Sequence, residues 1–244
     1  MKILAIESSN QTMSAAVIDN GRLVAEISTN GNLQHSTQLM PAIDRVLTIA
    51  GWEPSALESI AVAKGPGSYT GVRIGATIAK TLAWTLGLPL VSVSSLKVIA
   101  ANGEGTTARI VPIIDARRRN CYTGVYRFEN QKLVNSIPDI HIASEEWFSR
   151  LLAEEGNYLF IGEDVAIYQE RISELFGERA RFAGESQALP RASVLAALSI
   201  HETAVDPHLF VPEYLKNPEA EEKWQEAHHE KRREDYVERI DSSI

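Results

Sequence analysis

A glycine-rich segment, residues 65–75, carries the strongest chemical signature in this chain. It reads Gly-Pro-Gly-Ser-Tyr-Thr-Gly-Val-Arg-Ile-Gly, and a helical pattern continues from it to Gly87. Ser68 and Thr70 are candidate helix caps, because a hydroxyl oxygen can accept a bond from an N–H group of the first turn. Such a loop can hold a phosphate, since unpaired N–H groups and the helix dipole favour an anion there. Its glycines can equally allow two helices to pack closely, so both uses stay open.

Metal and nucleophile chemistry find little support in the sequence. His35 opens a predicted helix, but position 39 is Leu, so no second imidazole follows one turn later, as a helical pair of metal ligands requires. Cys121 lies in an apolar strand pattern, which is typical of a small buried hydrophobe. We expect no metal site and no catalytic residue in this chain.

Apolar runs and helical periodicity predict an α/β chain folded as two lobes. Predicted strands are Ile3–Ile6, Ser14–Ile18, Leu23–Ile27, Ile60–Ala63, Leu90–Val93, Val111–Asp115, Cys121–Phe128, Leu133–Ile137 and Tyr158–Gly162. Predicted helices are Ser36–Ala50, the segment from the glycine loop to Gly87, Ser144–Glu155, Ile167–Phe176 and Ala192–Val205. The second half repeats the opening, with an apolar strand that ends in an acid and then a hairpin. The polar break at residues 102–107 predicts lobes at 1–102 and 108–214, followed by a charged C-terminal helix or tail at 215–244.

The two acid-ended turns allow a comparison of the lobes. In two-lobed sugar kinases and actin-like ATPases, a small hydroxyl-rich turn wraps nucleotide phosphates, and the acid at the strand end manages the metal. The first turn fits this pattern as a vestigial phosphate loop of Glu7, Ser8, Ser9 and Thr12. The matching turn, Asp115–Cys121, carries three arginines at 117–119, which are bulky where a phosphate clamp needs small residues. We therefore expect no ATP hydrolysis, and interpret the arginines as a solvated turn or as a contact for an acidic partner or an RNA backbone.

The helix after the glycine loop carries a strip of small residues. Gly71, Gly75, Ala79 and Ala83 recur every four residues, and Ile74, Ile78, Leu82 and Leu86 form a second row that we assign to the core. Small residues let a neighbouring element approach closely. The strip packs either on the sheet of its own lobe or, together with Arg73, Lys80, Trp84 and the first helix, against another subunit.

Composition bounds the remaining possibilities. The 244 residues are 44% hydrophobic, enough for a substantial core. A net charge of −8 argues against a protein that grips nucleic acid mainly through its own surface. A single cysteine and the lack of a membrane-spanning segment predict a soluble cytoplasmic protein. Residues 219–241 are dominated by charges and predict a solvated or frayed helix, with a docking helix anchored by Trp224 and Tyr236 as the alternative.

Several motifs, taken together and in order, resemble the TsaB (YeaZ) family, the bacterial partner in tRNA threonylcarbamoyladenosine synthesis. They are Leu4-Ala-Ile-Glu-Ser-Ser, His35-Ser-x-x-Leu-Met-Pro41, the glycine loop, Val93-Ser-Ser-Leu96, Asp115-Ala-Arg-Arg118, Pro212-x-Tyr-Leu-Lys216 and the Glu-Ala-Glu segment before Trp224. The chain departs mildly from the family pattern. Glu7 stands where Asp is usual, and Cys121 where Val is common.

The resemblance implies a two-lobed actin-like/Hsp70-like fold with a degenerate nucleotide cleft. It also implies a non-catalytic subunit that binds a TsaD-like catalytic subunit, together with a TsaE-like ATPase, and forms a homodimer when alone. Nucleotide and metal are then expected on the partner subunit, and tRNA is reached mainly through the complex. We expect the partner interface at His35, Leu39, Met40, Ile43, Gly71, Val72, Arg73, Gly75, Ala76, Ala79, Lys80 and Ala83. The alternative is an ATP-dependent small-molecule kinase or ATPase of the actin-like superfamily, using Glu7, the first turn and the glycine loop.

Overall fold

A computed structural model describes residues 1–31 and 34–216. Its strands are β1 (Lys2–Glu7), β2 (Thr12–Asp19), β3 (Arg22–Asn30), β4 (Ser59–Ala63), β5 (Leu90–Val93), β6 (Arg109–Asp115), β7 (Asn120–Glu129), β8 (Lys132–Ala143), β9 (Tyr158–Ile161), β10 (Ala180–Phe182) and β11 (Ala204–Val205). Its α-helices are α1 (His35–Ala50), α2 (Tyr69–Leu86), α3 (Ser95–Ala101), α4 (Ser144–Leu152), α5 (Val165–Phe176), α6 (Glu185–Ala188) and α7 (Ala192–Ser199). The predicted charged segment after residue 216, including Trp224 and Tyr236, lies outside the described residues.

Two mixed sheets form the two lobes. The first has the strand order β11-β5-β4-β1-β2-β3, and the second has the order β10-β9-β6-β7-β8. Each begins with three antiparallel strands, β1 to β3 and β6 to β8, and each continues with a strand parallel to its first one. The second half therefore repeats the opening of the first, and the predicted two-lobed α/β fold class is confirmed.

Helices cover the sheets where the sequence places apolar stripes. α1 and α2 pack on one face of the first sheet, with Leu39, Ile43 and Val46 of α1 in the core. α2 begins after Ser68, whose hydroxyl accepts a bond from the N–H of Gly71, and ends at Gly87 in a left-handed conformation. Both ends are as predicted, because the serine satisfies an unpaired donor and the glycine tolerates the positive φ.

The chain returns to the first sheet before the predicted end of the second lobe. α7 packs on β1 and β2, where Leu195 and Ala196 share a buried cluster with Ile3 and Ala5. β11 then pairs with β5. The helix predicted for residues 192–205 is thus shorter, because positions 204–205 complete the edge of a sheet instead. Although we placed residues 108–214 together, the part after 191 packs on the first lobe.

No helix of the described residues is long and apolar enough to cross a bilayer.

Candidate functional site

A cleft of about 800 Å³ opens between the two lobes. The first lobe lines it with the turn after β1, the start of α1 and the glycine loop, and the second lobe lines it with the end of β6 and the loop after β9. Both acid-ended turns predicted from the sequence meet here. The carboxyl ends of parallel strands are the usual place for a ligand in an open α/β sheet, so this cleft is the candidate site.

Glu7 is fully buried at the floor of this region. Its Oε1 accepts hydrogen bonds from the backbone N–H of Ser9 at 2.8 Å and from the Ser9 hydroxyl at 2.6 Å. Its Oε2 has no partner among the described residues. Burial raises the pKa of Glu7 to about 7, partly opposed by the two bonds from Ser9 and reinforced by the nearby charge of Glu163. Glu7 therefore exchanges its proton near neutral pH.

Glu163 joins the lobes across this floor. Its carboxylate accepts bonds from the hydroxyl and the backbone N–H of Thr12, at 2.9 Å and 3.4 Å. Burial also raises the pKa of Glu163. On the other turn, the backbone N–H of Asp115 donates to Asp164 at 2.8 Å. In both lobes, donors that could bind a phosphate are therefore bound by carboxylates of this chain.

The glycine loop packs against the first turn. The N–H of Ser68 donates to the carbonyl of Ser9 at 2.7 Å, and the hydroxyl of Ser8 donates to the carbonyl of Gly71 at 2.9 Å. A β-carbon at Gly67 would lie 2.1 Å from the Ser9 carbonyl oxygen, and one at Gly71 would lie 2.2 Å from that of Ser8. Of the two uses that the sequence left open, these glycines serve close approach, to the first turn rather than to a second helix.

A nucleotide phosphate does not fit this arrangement. The backbone N–H and the hydroxyl of Ser9 both donate hydrogen bonds to Glu7, and the glycine loop covers the Ser8–Ser9 backbone. The Ser8–Ser9 turn, as it stands in this structure, therefore leaves no room for a phosphate.

The small-residue strip of α2 faces its own lobe. Gly75 lies against Ser8, since a β-carbon there would be 2.3 Å from the Ser8 hydroxyl oxygen. Ala79 and Ala83 are 0% exposed in the core between α2 and the first sheet. The row assigned to the core is instead only half-buried and consists of Ile74, Ile78, Leu82 and Leu86.

The predicted interface residues divide into two groups by burial. Six are in the core of the chain itself and offer no side chain to a partner: Leu39, Ile43, Val72, Ala76, Ala79 and Ala83. Gly71 and Gly75 are buried against the first turn. His35, Met40, Arg73 and Lys80 keep exposed surface, and only these four can contact another subunit directly.

Two of these four also bind a segment that we call the strap, residues 206–214. The Lys80 ammonium donates to the carbonyl of Phe210 at 2.7 Å, and the Arg73 guanidinium donates to the Tyr214 hydroxyl at 2.8 Å. Phe210 is buried in the core of the first lobe. The strap therefore covers the flank of α2 that carries Arg73 and Lys80. The half-buried apolar row points elsewhere, about 100° to 240° further round the helix than Arg73 and Lys80.

The structure shows where the two residues considered for metal binding and nucleophilic catalysis, His35 and Cys121, lie. The Nε2 of His35 lies 2.8 Å from the carbonyl oxygen of Asn10, at the rim of the cleft. Cys121 is buried, and burial raises the pKa of its thiol to about 12, so it is a poor nucleophile at neutral pH. Within residues 1–31 and 34–216, no three His, Cys, Asp or Glu side chains are grouped to hold a metal ion.

Sequence reasoning missed Glu163 and Asp164. They follow the short strand β9, just as Glu7 and Asp115 end β1 and β6. A search for acids at strand ends would have found them, but their pairing with Thr12 and Asp115 depends on the lobe arrangement.

Comparison with known proteins shows the family to which the chain belongs. The family model described as TsaD, tRNA N6-adenosine threonylcarbamoyltransferase, matches residues 23–224. A Bacillus subtilis protein named tRNA threonylcarbamoyladenosine biosynthesis protein TsaB is 42% identical over 227 residues, which cover 93% of this chain and 99% of that protein. The structure of YeaZ from Pseudomonas aeruginosa superposes with a TM-score of 0.74 at 25% identity, covering 88% of this chain and 99% of that one. Ethanolamine utilization protein EutJ from Carboxydothermus hydrogenoformans, at 13% identity and a TM-score of 0.50 over 82% of this chain and 90% of that one, shares the fold.

The fold and the cleft thus define a two-lobed protein of the actin-like class whose phosphate-binding turns are occupied by its own carboxylates. Within that class, the chain belongs to the TsaB (YeaZ) family.

Proposed function

We propose that this protein is a non-catalytic subunit required for the threonylcarbamoyl modification of tRNA. The modified base is the adenosine next to the anticodon in tRNAs that read codons beginning with adenine. The subunit acts by binding a TsaD-like catalytic subunit, together with a TsaE-like ATPase, and it forms a homodimer when alone. Nucleotide and metal belong to its partners.

One observation carries this proposal. The match to the Bacillus subtilis TsaB covers 93% of this chain and 99% of that protein. The geometry of the cleft supports a role without catalysis, because the donors of both turns are bound to Glu7, Glu163 and Asp164. The fully buried Cys121 offers no activated nucleophile.

The partner surface proposed here is the outer face of α1 and α2. Met40 on α1 is 45% exposed. The half-buried row of α2, which includes Ile74 and Ile78, packs against the core of the first lobe and adds apolar area at its edge. Apolar side chains near the centre of a patch supply most of the affinity of a protein interface.

Met40→Glu tests this surface. The substitution places a charge on an exposed apolar side chain, so folding should be unaffected, while desolvating the carboxylate in an interface should weaken association at least tenfold. The measurement is complex formation with the TsaD-like subunit by size-exclusion chromatography and by titration. Ile167→Glu is the matched control, because Ile167 is 62% exposed on α5 of the second lobe.

The function itself is tested in cells that lack the protein. Loss of threonylcarbamoyladenosine from tRNA, with recovery on expression of the wild-type chain, is the expected result. Unchanged modification in those cells, or no complex with wild-type protein, overturns the proposal. Tight stoichiometric binding of magnesium-ATP to the isolated chain, with turnover, would favour the kinase or ATPase alternative.

A further inference from the structure

The turn between β6 and β7 has an unusual backbone. Arg117, Arg118 and Arg119 have φ values of 66°, 51° and 60°, so three consecutive residues with β-carbons occupy the left-handed region. Each of them costs free energy that glycine would avoid. The chain nevertheless carries long cationic side chains at all three positions, and all three are exposed.

Hydrogen bonds fix this turn in its strained form. The Asn120 side-chain amide donates to the Arg118 carbonyl at 3.0 Å, and its backbone N–H donates to the Arg117 carbonyl at 2.9 Å. The Tyr168 hydroxyl donates to Asp115 at 2.9 Å, and it also lies 3.1 Å from the carbonyl oxygen of Asn120. The turn is therefore ordered before any partner arrives, which lowers the entropic cost of binding.

Three acidic groups near the turn, all within the part of the chain that the structure describes, have partners of their own. The Asp115 side chain is 15% exposed and lies 3.6 Å from the Arg117 guanidinium, whose own side chain is 89% exposed. Asp164 accepts the N–H of Asp115. Glu145 is paired with Arg171 at 2.9 Å. The turn thus presents three exposed arginine side chains, although the chain as a whole carries a charge of −8.

We infer that this arginine turn binds the phosphodiester backbone of RNA. The planar fork of a guanidinium matches the oxygens of a phosphate. Residues 115–120 contain no large apolar side chain, which a protein partner would need at the centre of an interface. The identity of the RNA as tRNA rests on the proposed function, in which tRNA is the molecule modified.

The experiment measures binding of unmodified tRNA to the full-length chain by fluorescence anisotropy over a range of salt concentrations. The test variant combines Arg117→Asn, Arg118→Asn and Arg119→Asn, because asparagine tolerates the left-handed region and should preserve the turn. We expect affinity at low salt to fall at least tenfold. The magnitude of the slope of log K against log salt should fall by about 2, because each of the three lost phosphate contacts contributes about 0.7.

Two further variants separate charge from structure. Lysine at all three positions keeps the charge and should retain most of the salt slope. Arg181→Gln removes an exposed arginine from β10 of the same lobe and should change neither quantity.

Three results would overturn the inference. The first is that wild-type protein does not bind tRNA at low salt, and the second is that the asparagine variant keeps the wild-type salt slope. The third is that the asparagine variant loses binding to the catalytic subunit while its binding to tRNA is unchanged. The last would assign the turn to an acidic protein surface. If wild-type protein forms no complex with the catalytic subunit, the proposed function fails, whereas the tRNA data still decide the role of the turn.

Discussion

At the scale of single residues, the burial of Glu7 costs free energy whenever its carboxyl group is ionised. The cost arises because this fully buried group is removed from solvent and its Oε2 has no donor among the described residues. Ser9 compensates only Oε1, through its amide and hydroxyl. Glu7 therefore stays protonated in the folded state until the pH approaches its raised pKa of about 7.

Glu7→Gln should remove a pH dependence of stability. The folded pKa is raised above the unfolded value, so Glu7 contributes stability that is fully present at low pH and is lost as the pH rises through about 7. Glutamine keeps the oxygen that Ser9 needs and never ionises. We expect the variant to be more stable than wild type at pH 8, by on the order of a few kcal/mol, and equal near pH 4.5. Urea unfolding across this range measures the difference, and identical pH profiles for both proteins would contradict the assignment.

The sequence predicted part of this site. Glu7 and Asp115 were found because each ends an apolar strand and begins a polar turn. Glu163 was missed, and so was its bond to Thr12, since the two residues are 151 positions apart. A long-range pair of this kind is fixed by the packing of the lobes and has no local signature.

At the scale of elements, α2 shows how small residues are used. Two rows recur every four residues along this helix, so periodicity alone could not decide which faces the core. The structure buries the glycine and alanine row, because the helix begins almost in contact with the Ser8–Ser9 turn. The isoleucine and leucine row is left half-buried at the side. The burial of Ala79 also means that the interface expected from the sequence is restricted to exposed neighbours such as Met40.

Gly71→Ala should destabilise the protein, although alanine is normally the better helix former. The new β-carbon would lie 2.2 Å from a backbone oxygen of Ser8, and neither backbone can move without breaking bonds at the turn. We expect a loss of roughly 1–3 kcal/mol, as for other overpacked sites. Chemical unfolding gives the value. Gly31→Ala is the control, since nothing lies within 4 Å of a β-carbon there, and a comparable loss in both variants would contradict the steric explanation.

Other elements show where local pattern loses to tertiary context. The pattern missed α3, a short helix capped by Ser94, because it lies in an apolar run directly after β5. The predicted end of the helix from residue 192 was wrong by several residues, since Ala204 and Val205 pair with β5. The start of α2 at the cap Ser68 and its end at the left-handed Gly87 were predicted well, because those signals are local.

At the scale of the whole molecule, two partly buried carboxyl groups connect the lobes. Glu163 of the second lobe binds Thr12 of the first, and Asp139 on β8 accepts a bond from Ser94 at the end of β5. Tyr126 and Asn135 also donate to Asp139. The lobes are thus joined by hydrogen bonds in partly buried surroundings, where each is strengthened, and by the apolar packing of α3 on the second sheet.

The double variant Thr12→Val, Ser94→Ala should loosen this joint. Each substitution removes a donor to a partly buried carboxyl group, at a cost of about 1–3 kcal/mol. We expect faster hydrogen exchange at the amides of Thr12 and Asp115, and little change in the central strand β4, measured by mass spectrometry. Ser68→Ala is the control, because it removes a helix cap without touching the joint. Unchanged exchange at both amides would show that other contacts set the lobe orientation.

The return of the chain to its first sheet has a consequence for biosynthesis. The strands β6 to β10 are contiguous in sequence, so the second sheet is complete once residue 182 has left the ribosome. The first sheet gains its cover and its edge only when α7, β11 and Phe210 emerge. The half of the protein that is translated first is therefore the half that finishes folding last, and until β11 emerges the edge strand β5 lacks its final partner.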